Sequence, residues 1–327
     1  ANNLTRKVEF GYNGNIVERD FNAIMYGHSK NGSFELNGVD IEDVDGIYGK
    51  DAFANGGFEL STGRGSDFTP YWYLGKKNVH SGILSTTYQF SEKLTSIVGL
   101  RYDNVYQNIE YNTNMSNTAL DGPSEIKKNY FLPSANLKYA LTDKSSLRAS
   151  ASLSYTMPQF VETAYFRNTF STGSIIGNKD LVPVENTNFD LKWELFPSAG
   201  ELFSVGAFYK KLKNPIARVE SSNNVMTYFN VGSSAQIAGA EIEVKKNLLT
   251  TATANGENIL SAGANISYLY STQKLQNPKA IFTDNNGSSK LQGASPLLVN
   301  ADVSYLLNGK NVKWTSTVVF NYFSDRV

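Results

Sequence analysis

Residues 187–196, TNFDLKWELF, alternate without a break: Phe189, Leu191, Trp193 and Leu195 fall on one face of an extended strand, Asn188, Asp190, Lys192 and Glu194 on the other. One face suits hydrocarbon and the other water. The pattern returns at 146–155, where Leu147, Ala149, Ala151, Leu153 and Tyr155 alternate with Ser146, Arg148, Ser150, Ser152 and Ser154. Segment 297–307 sets Leu297, Val299, Ala301, Val303, Tyr305 and Leu307 against Leu298, Asn300, Asp302, Ser304 and Leu306. In 94–106, Leu94, Val98, Leu100, Tyr102 and Tyr106 oppose Arg101 and Asp103. Further strands are expected at 5–26, interrupted near Asn13-Gly14, and at 78–90, 129–140, 201–213, 236–246, 260–272 and 311–323, about eleven in all with no convincing helix. Strands of soluble sandwiches usually run about 5–6 residues, whereas these reach the roughly 9–11 that cross a bilayer at a tilt.

The connections take turns between two kinds. Short ones lie at 91–93, 142–145, 197–200 and 308–310, with a somewhat longer one near 247–259; long ones rich in Asn, Gly and Ser lie at 28–77, 112–128, 157–186, 214–235 and 273–296. Tight turns at one end and long loops at the other describe a transmembrane antiparallel β-barrel with periplasmic turns and extracellular loops. Aromatic residues at strand ends agree: Phe90, Tyr139, Trp193, Phe196 and Phe203 flank short turns, and Tyr209, Tyr270, Tyr322 and Phe323 lie near long loops, as for girdles at the lipid–water interfaces.

Composition changes the picture only a little. Charged residues make up 18% of the chain, below the quarter or so of an average soluble domain, and a mean hydropathy of −0.32 with no run of about 18 apolar residues excludes a transmembrane helix but not a barrel with a polar interior. Zero net charge and the lack of a basic stretch leave no footprint for nucleic acid. With no cysteine, disulfides and thiolate metal sites are excluded. The two histidines, His28 and His80, have no carboxylate spacing of a metal motif, and no base accompanies the serine-rich strands, so an enzyme is not expected.

Several ordered stretches resemble one family. NYFLPSANLKYALTDKSSLRASAS (129–152), GNKDLVPVENTNFDLKWELFPSAGELFSVGAFYKKLKNPI (177–216), GAEIEVKKNL (239–248), SPLLVNADVSY (295–305) and VVFNYFSDRV (318–327) are similar to the barrel of TonB-dependent outer-membrane receptors, most of all those of the Bacteroidetes type. That family often has Arg-Pro where this chain has Met157-Pro158, Asn-Pro-Asp at Asn178-Lys179-Asp180 and Gly-Asp-Arg-Ile at Ser324-Asp325-Arg326-Val327. The first 80 residues match only in general character. The resemblance implies a barrel of about 22 strands, a plug domain inside it, a TonB energising complex as partner and the Gram-negative outer membrane as location. About eleven strands do not close such a barrel, so residues 1–327 are expected to be the middle portion of one barrel domain, with plug and C-terminal strands elsewhere.

The polar faces then become the wall of the lumen: Arg101, Asp103, Asn136, Lys138, Arg148, Asp190, Lys192, Glu194, Glu241, Glu243, Lys245, Asn265, Asn300 and Asp302, which the resemblance implies contact the plug. Solvation of a pore is the plainer role for any one of them. Two loop features stand apart. Asp40, Glu42, Asp43, Asp45 and Asp51 gather hard oxygen ligands around Gly46, suiting either a calcium loop or a solvated acidic loop. Tyr71, Trp72 and Tyr73 suit either stacking on a ligand or packing of the loop. The functional expectation is import of a scarce or large nutrient, such as a chelated metal, glycan or peptide. The alternative is a non-importing barrel serving secretion, adhesion or structure in a surface complex, and a soluble β-protein is the remaining reading; a surface lipoprotein or a larger outer-membrane assembly is a further candidate partner of the receptor.

Overall fold

The computed structural model describes residues 4–30, 42–43, 47–55, 57–62, 68–112, 123–222, 224–274 and 288–326. Eleven long strands form one antiparallel ladder in sequence order: β1 (Arg6–Ala23), β2 (Tyr71–Gln89), β3 (Leu94–Asn112), β4 (Ser124–Thr142), β5 (Ser145–Thr156), β6 (Val184–Leu195), β7 (Leu202–Lys213), β8 (Ser234–Thr253), β9 (Gly256–Lys274), β10 (Leu297–Asn308) and β11 (Lys313–Phe323). A two-residue strand, Ser288–Ser289, lies against β9. Among the described residues, β1 bonds only to β2 and β11 only to β10, so the ladder has two free edges.

The register carries one face across all eleven strands. Asn13 pairs with Ser81, Ser81 with Asp103 and Asp103 with Tyr130. Lys138 pairs with Arg148 and Arg148 with Lys192; Glu194 pairs with Ser204 and Ser204 with Glu243; Glu243 pairs with Asn265, Asn265 with Asn300 and Asn300 with Asn321. On this face Ser81, Asp103, Gln107 and Ser204 are no more than 2% exposed. The opposite face is apolar and bare: Phe10 is 88% exposed, and Val8, Ile16, Phe131, Leu191, Val318 and Phe320 stand out beside it. At about 25 cal/mol per Å², leaving so many large side chains in water is untenable, and hydrocarbon is the medium that fits. No helix among the described residues is long and apolar enough to cross a membrane.

Every expected strand is present, with adjustments. β1 runs through Asn13-Gly14 without interruption. The link expected to be longer near 247–259 is a tight turn at Ala254-Asn255, because β8 and β9 continue to Thr253 and Gly256 across a bulge between Asn247 and Leu249. Among the described residues, short helices occur where none was expected, including Lys50–Ala54 and Phe160–Thr163. The loops after β5 and β7 together build a four-stranded sheet from Arg167–Phe170, Gly173–Ile176, Ile216–Ser222 and Val225–Asn230. The Asn214 of the KNPI stretch, at φ 56°, opens the second hairpin in the left-handed conformation that Asn tolerates better than most residues.

Tyr155 is the clearest departure from alternation. The β4–β5 ladder ends at Ser134↔Ser152, next to Pro133, which has no N–H to offer a further bond. Freed from β4, the end of β5 sends Tyr155 not to the apolar face but onto Tyr130, ring to ring at 4.1 Å. Phe323 also changes sides, pairing with Leu298 on the polar face, while Tyr209, Tyr270 and Tyr322 keep to the apolar one.

Candidate functional site: the polar wall and the loops above it

All the charged and amide side chains expected in the lumen share the polar face, but they form separate groups. Arg101 Nε donates to Asp103 Oδ1 at 2.6 Å and Arg101 Nη2 to Ser81 Oγ at 3.0 Å, while the Tyr155 hydroxyl donates to Asp103 Oδ2 at 2.8 Å. A fully buried carboxylate is thus met on both oxygens, which offsets its desolvation. Lower on the wall, Arg148 Nε reaches Glu194 Oε2 at 2.6 Å, Ser146 joins the same oxygen at 3.3 Å, and Lys192 bridges Glu194 at 3.7 Å and Glu243 at 3.6 Å. Ser150 donates to Asp190 at 3.1 Å and Ser267 to Glu241 at 3.2 Å. Asp302 leans over Gly263, where a Cβ would stand 2.5 Å from its Oδ1. Asn300 and Lys245 share the face without joining these ion pairs.

Tyr71, Trp72 and Tyr73 belong to β2 rather than to a loop. Tyr71 and Tyr73 are buried under the helix Phe160–Thr163, in a cluster with Ile109, Phe160, Ala164 and Phe166 that Phe21, Ala23 and Tyr111 border. Trp72 pairs with Asn22 and Asn112 on the opposite face. The two buried tyrosines therefore serve as a seat for the loop after β5. Gly75 makes room for it, since a Cβ there would lie 2.6 Å from the Phe160 ring. Gln107 Nε2 donates to Pro158 O at 3.2 Å and Ser124 Oγ to Lys179 O at 3.0 Å, tying the loop to the same wall.

Above the wall three loops interlock through amide side chains that sequence reasoning did not single out. Asn178, within GNKDL, donates to Tyr228 O at 2.8 Å. Asn230 accepts from Val182 N at 2.9 Å and donates to Val182 O at 3.0 Å and Asn214 O at 2.8 Å. Gln292 brackets Arg218 in the same way, at 3.0 and 2.7 Å. In this crown burial pushes the Tyr228 phenol upward, with the Glu162 carboxylate adding to the shift and Arg218 opposing it. The quoted motif was the available signal for Asn178; nothing in period-two alternation marks Asn230 or Gln292.

Of the calcium candidates, Asp40 and Asp45 lie outside the described residues. Asp51 sits in the first turn of Lys50–Ala54, and among the described residues no three His, Cys, Asp or Glu side chains are arranged to hold a metal ion. Glu42 and Asp43 belong to a short described stretch ahead of that helix.

Solved structures share this architecture at low sequence identity. The copper transporter OprC superposes with a TM-score of 0.58 at 13% identity, over 97% of this chain and 40% of its own. The siderophore receptor PiuA from Acinetobacter baumannii gives 0.53 at 15% identity, over 81% and 35%, and the alcaligin outer-membrane receptor FauA from Bordetella pertussis gives 0.50 at 14%, over 96% and 47%. The chain thus spans less than half the length of each of these proteins. Residues 2–327 match the family described as TonB dependent receptor-like, beta-barrel, a family of receptors and transporters. A ladder with a polar face, an apolar bare face and connections sorted by length is what that family requires, and the chain belongs to it, as an outer-membrane barrel protein of a Gram-negative bacterium.

Proposed function

We propose that these residues form part of the wall of a receptor that imports a scarce nutrient with energy from the TonB complex, and that the rest of the wall and a plug come from flanking sequence of the same polypeptide. One observation carries the reading: a polar face continuous over eleven strands, with buried and mutually paired charges, facing away from a bare apolar face. Charges paired in register hold their side chains in one arrangement, which gives a folded domain a defined surface to seat against. The free edges of β1 and β11 support continuation of the sheet, because unpaired backbone groups in lipid cost several kcal/mol each. Among chelated metals, glycans and peptides, a chelated metal is favoured by the likeness to a siderophore receptor and a copper transporter.

The test is uptake by the full-length polypeptide, produced in a Gram-negative host stripped of its own iron-chelate receptors. Radiolabelled ferric chelates should accumulate only when TonB is intact. Accumulation that persists without TonB, or none for chelates, glycans and peptides alike, overturns the import reading.

A further inference from the structure

The charges of the polar face are not evenly mixed around the sheet. From β1 to β5 it presents seven cations, Lys7, Arg19, Lys77, Arg101, Lys128, Lys138 and Arg148, against two carboxylates, Glu9 and Asp103. From β6 to β11 it presents four cations, Lys192, Lys210, Lys245 and Lys313, against six carboxylates, Asp190, Glu194, Glu241, Glu243, Glu257 and Asp302. The apolar face of β1–β5 carries no such excess: Arg6, Lys76 and Lys127 stand there with Glu18, Asp20, Glu110 and Glu125.

Most members of the basic half are already engaged: Lys7 with Glu9, Arg19 with the Tyr73 hydroxyl, Arg101 with Asp103 and Arg148 with Glu194. Lys77, Lys128 and Lys138 are not, for among the described residues no carboxylate partners them. Their cross-strand neighbours are Val17 and Gln107, Val105, and Thr95 and Arg148. Lys138, Arg148 and Lys192 stand side by side on three adjacent strands, lining a groove of about 300 Å³ with Asn136 and Asp190. Glu194 and Glu243 answer Arg148 and Lys192 in this row, which leaves Lys138, directly opposite Arg148, as the cation that an external anion would relieve.

We propose that the polar wall of β1–β5 seats an acidic surface of the domain that fills the lumen, so that charge fixes which way round that domain sits in the barrel. The inference rests on the plug reading above and adds the partner's polarity and orientation. Height favours a protein surface over a small anionic solute: Lys128 and Lys138 lie ten residues apart on one strand, about 33 Å, far taller than a small-ligand site. The adjoining part of the wall, β6–β11, with its carboxylate excess, would meet a neutral or basic side of the same domain, and a quarter-turn rotation would set the acidic surface of that domain against those carboxylates.

The test uses the full-length receptor in outer membranes, with a photo-crosslinking residue in place of Lys77, Lys128 or Lys138 on one wall and of Glu241 or Asp302 on the other. Crosslinked peptides from the first wall should come from plug stretches in which Asp and Glu outnumber Lys and Arg; those from the second should not. In parallel, Lys128→Glu with Lys138→Glu should raise passage of a large antibiotic roughly tenfold, the effect of about 1.4 kcal/mol of lost seating, while Lys310→Glu in a short turn leaves it unchanged. First-wall crosslinks to neutral or basic plug surface overturn the orientation but leave the plug reading intact, as does a first wall without crosslinks beside a second wall that has them. No plug crosslink from either wall sinks the plug reading itself. Each crosslinking variant removes a single charge, so this arm decides even where the doubly reversed receptor fails to assemble.

Discussion

Strands β1–β4 and strands β5–β7 gain height above the membrane in different ways. The first four run 18 or 19 residues, which at a tilt near 40° rise about 48 Å, roughly twice the apolar band they must cross. The next three stop at 12 residues and give way to the four-stranded loop sheet and its amide brackets. The tall strands thus offer a bare upper wall, and the short ones supply a loop that leans across and covers it. Beyond the β4–β5 ladder, the contacts that join the regions include the Tyr155–Asp103 hydrogen bond and the seat of Phe160 on Tyr71, Tyr73 and Gly75.

Breaking the first contact should have the largest effect. Asp103→Ala leaves the Arg101 guanidinium and the Tyr155 hydroxyl without their shared acceptor; because Arg101 is half-exposed and rehydrates, the cost is about 3 kcal/mol rather than the full penalty of a buried pair. Denaturant titration of the refolded receptor in lipid measures it, and a loss as small as that of a surface substitution would show that the regions are independent there. Phe160→Ala should cost about 2 kcal/mol, less than a fully enclosed Phe→Ala, since the loop can swing away instead of holding a cavity. It should release residues 157–183 to protease while leaving β2–β3 protected. The smallest effect belongs to the base of the short strands, where the Ser198 hydroxyl holds the Glu201 carboxyl below the usual carboxylate range and the Asn247 amide adds to the shift. A folded-state value below the unfolded one contributes stability at pH above about 4.3, lost as pH falls through the folded value. The unfolding midpoints of wild type and Glu201→Gln should therefore differ slightly at neutral pH and converge in acid.

The same two regions explain what the sequence made legible. Inside the apolar band each strand meets oil on one side and water on the other, and period-two alternation located all eleven there. Above the band the face that is polar lower down carries Tyr71, Tyr73, Val105, Ile109 and Ile126, buried beneath the loops, so Tyr71–Lys77, Val105–Asn112 and Ser124–Lys128 lose the period-two contrast that marks a membrane strand, and the aromatic triplet at 71–73 reads as loop. Tyr155 was misplaced for a related reason. Alternation assumes an unbroken ladder, and Pro133 ends the one on which β5 depends. The polar face itself was fully legible, since register only joins faces that the pattern had already sorted. Which charges pair across strands was not, because that depends on neighbours far apart in the chain, such as Arg148 with Glu194 and Lys192 with Glu243.

Gly75 is a keyhole in this wall. The length and sequence of the loop after β5 can drift so long as an aromatic key still finds a stretch of naked backbone, but the hole tolerates no drift, since even a methyl group would collide with the Phe160 ring. A single substitution on β2, far from the loop in sequence, would swing that loop off the mouth of the barrel and change its aperture, leaving every ladder bond in place.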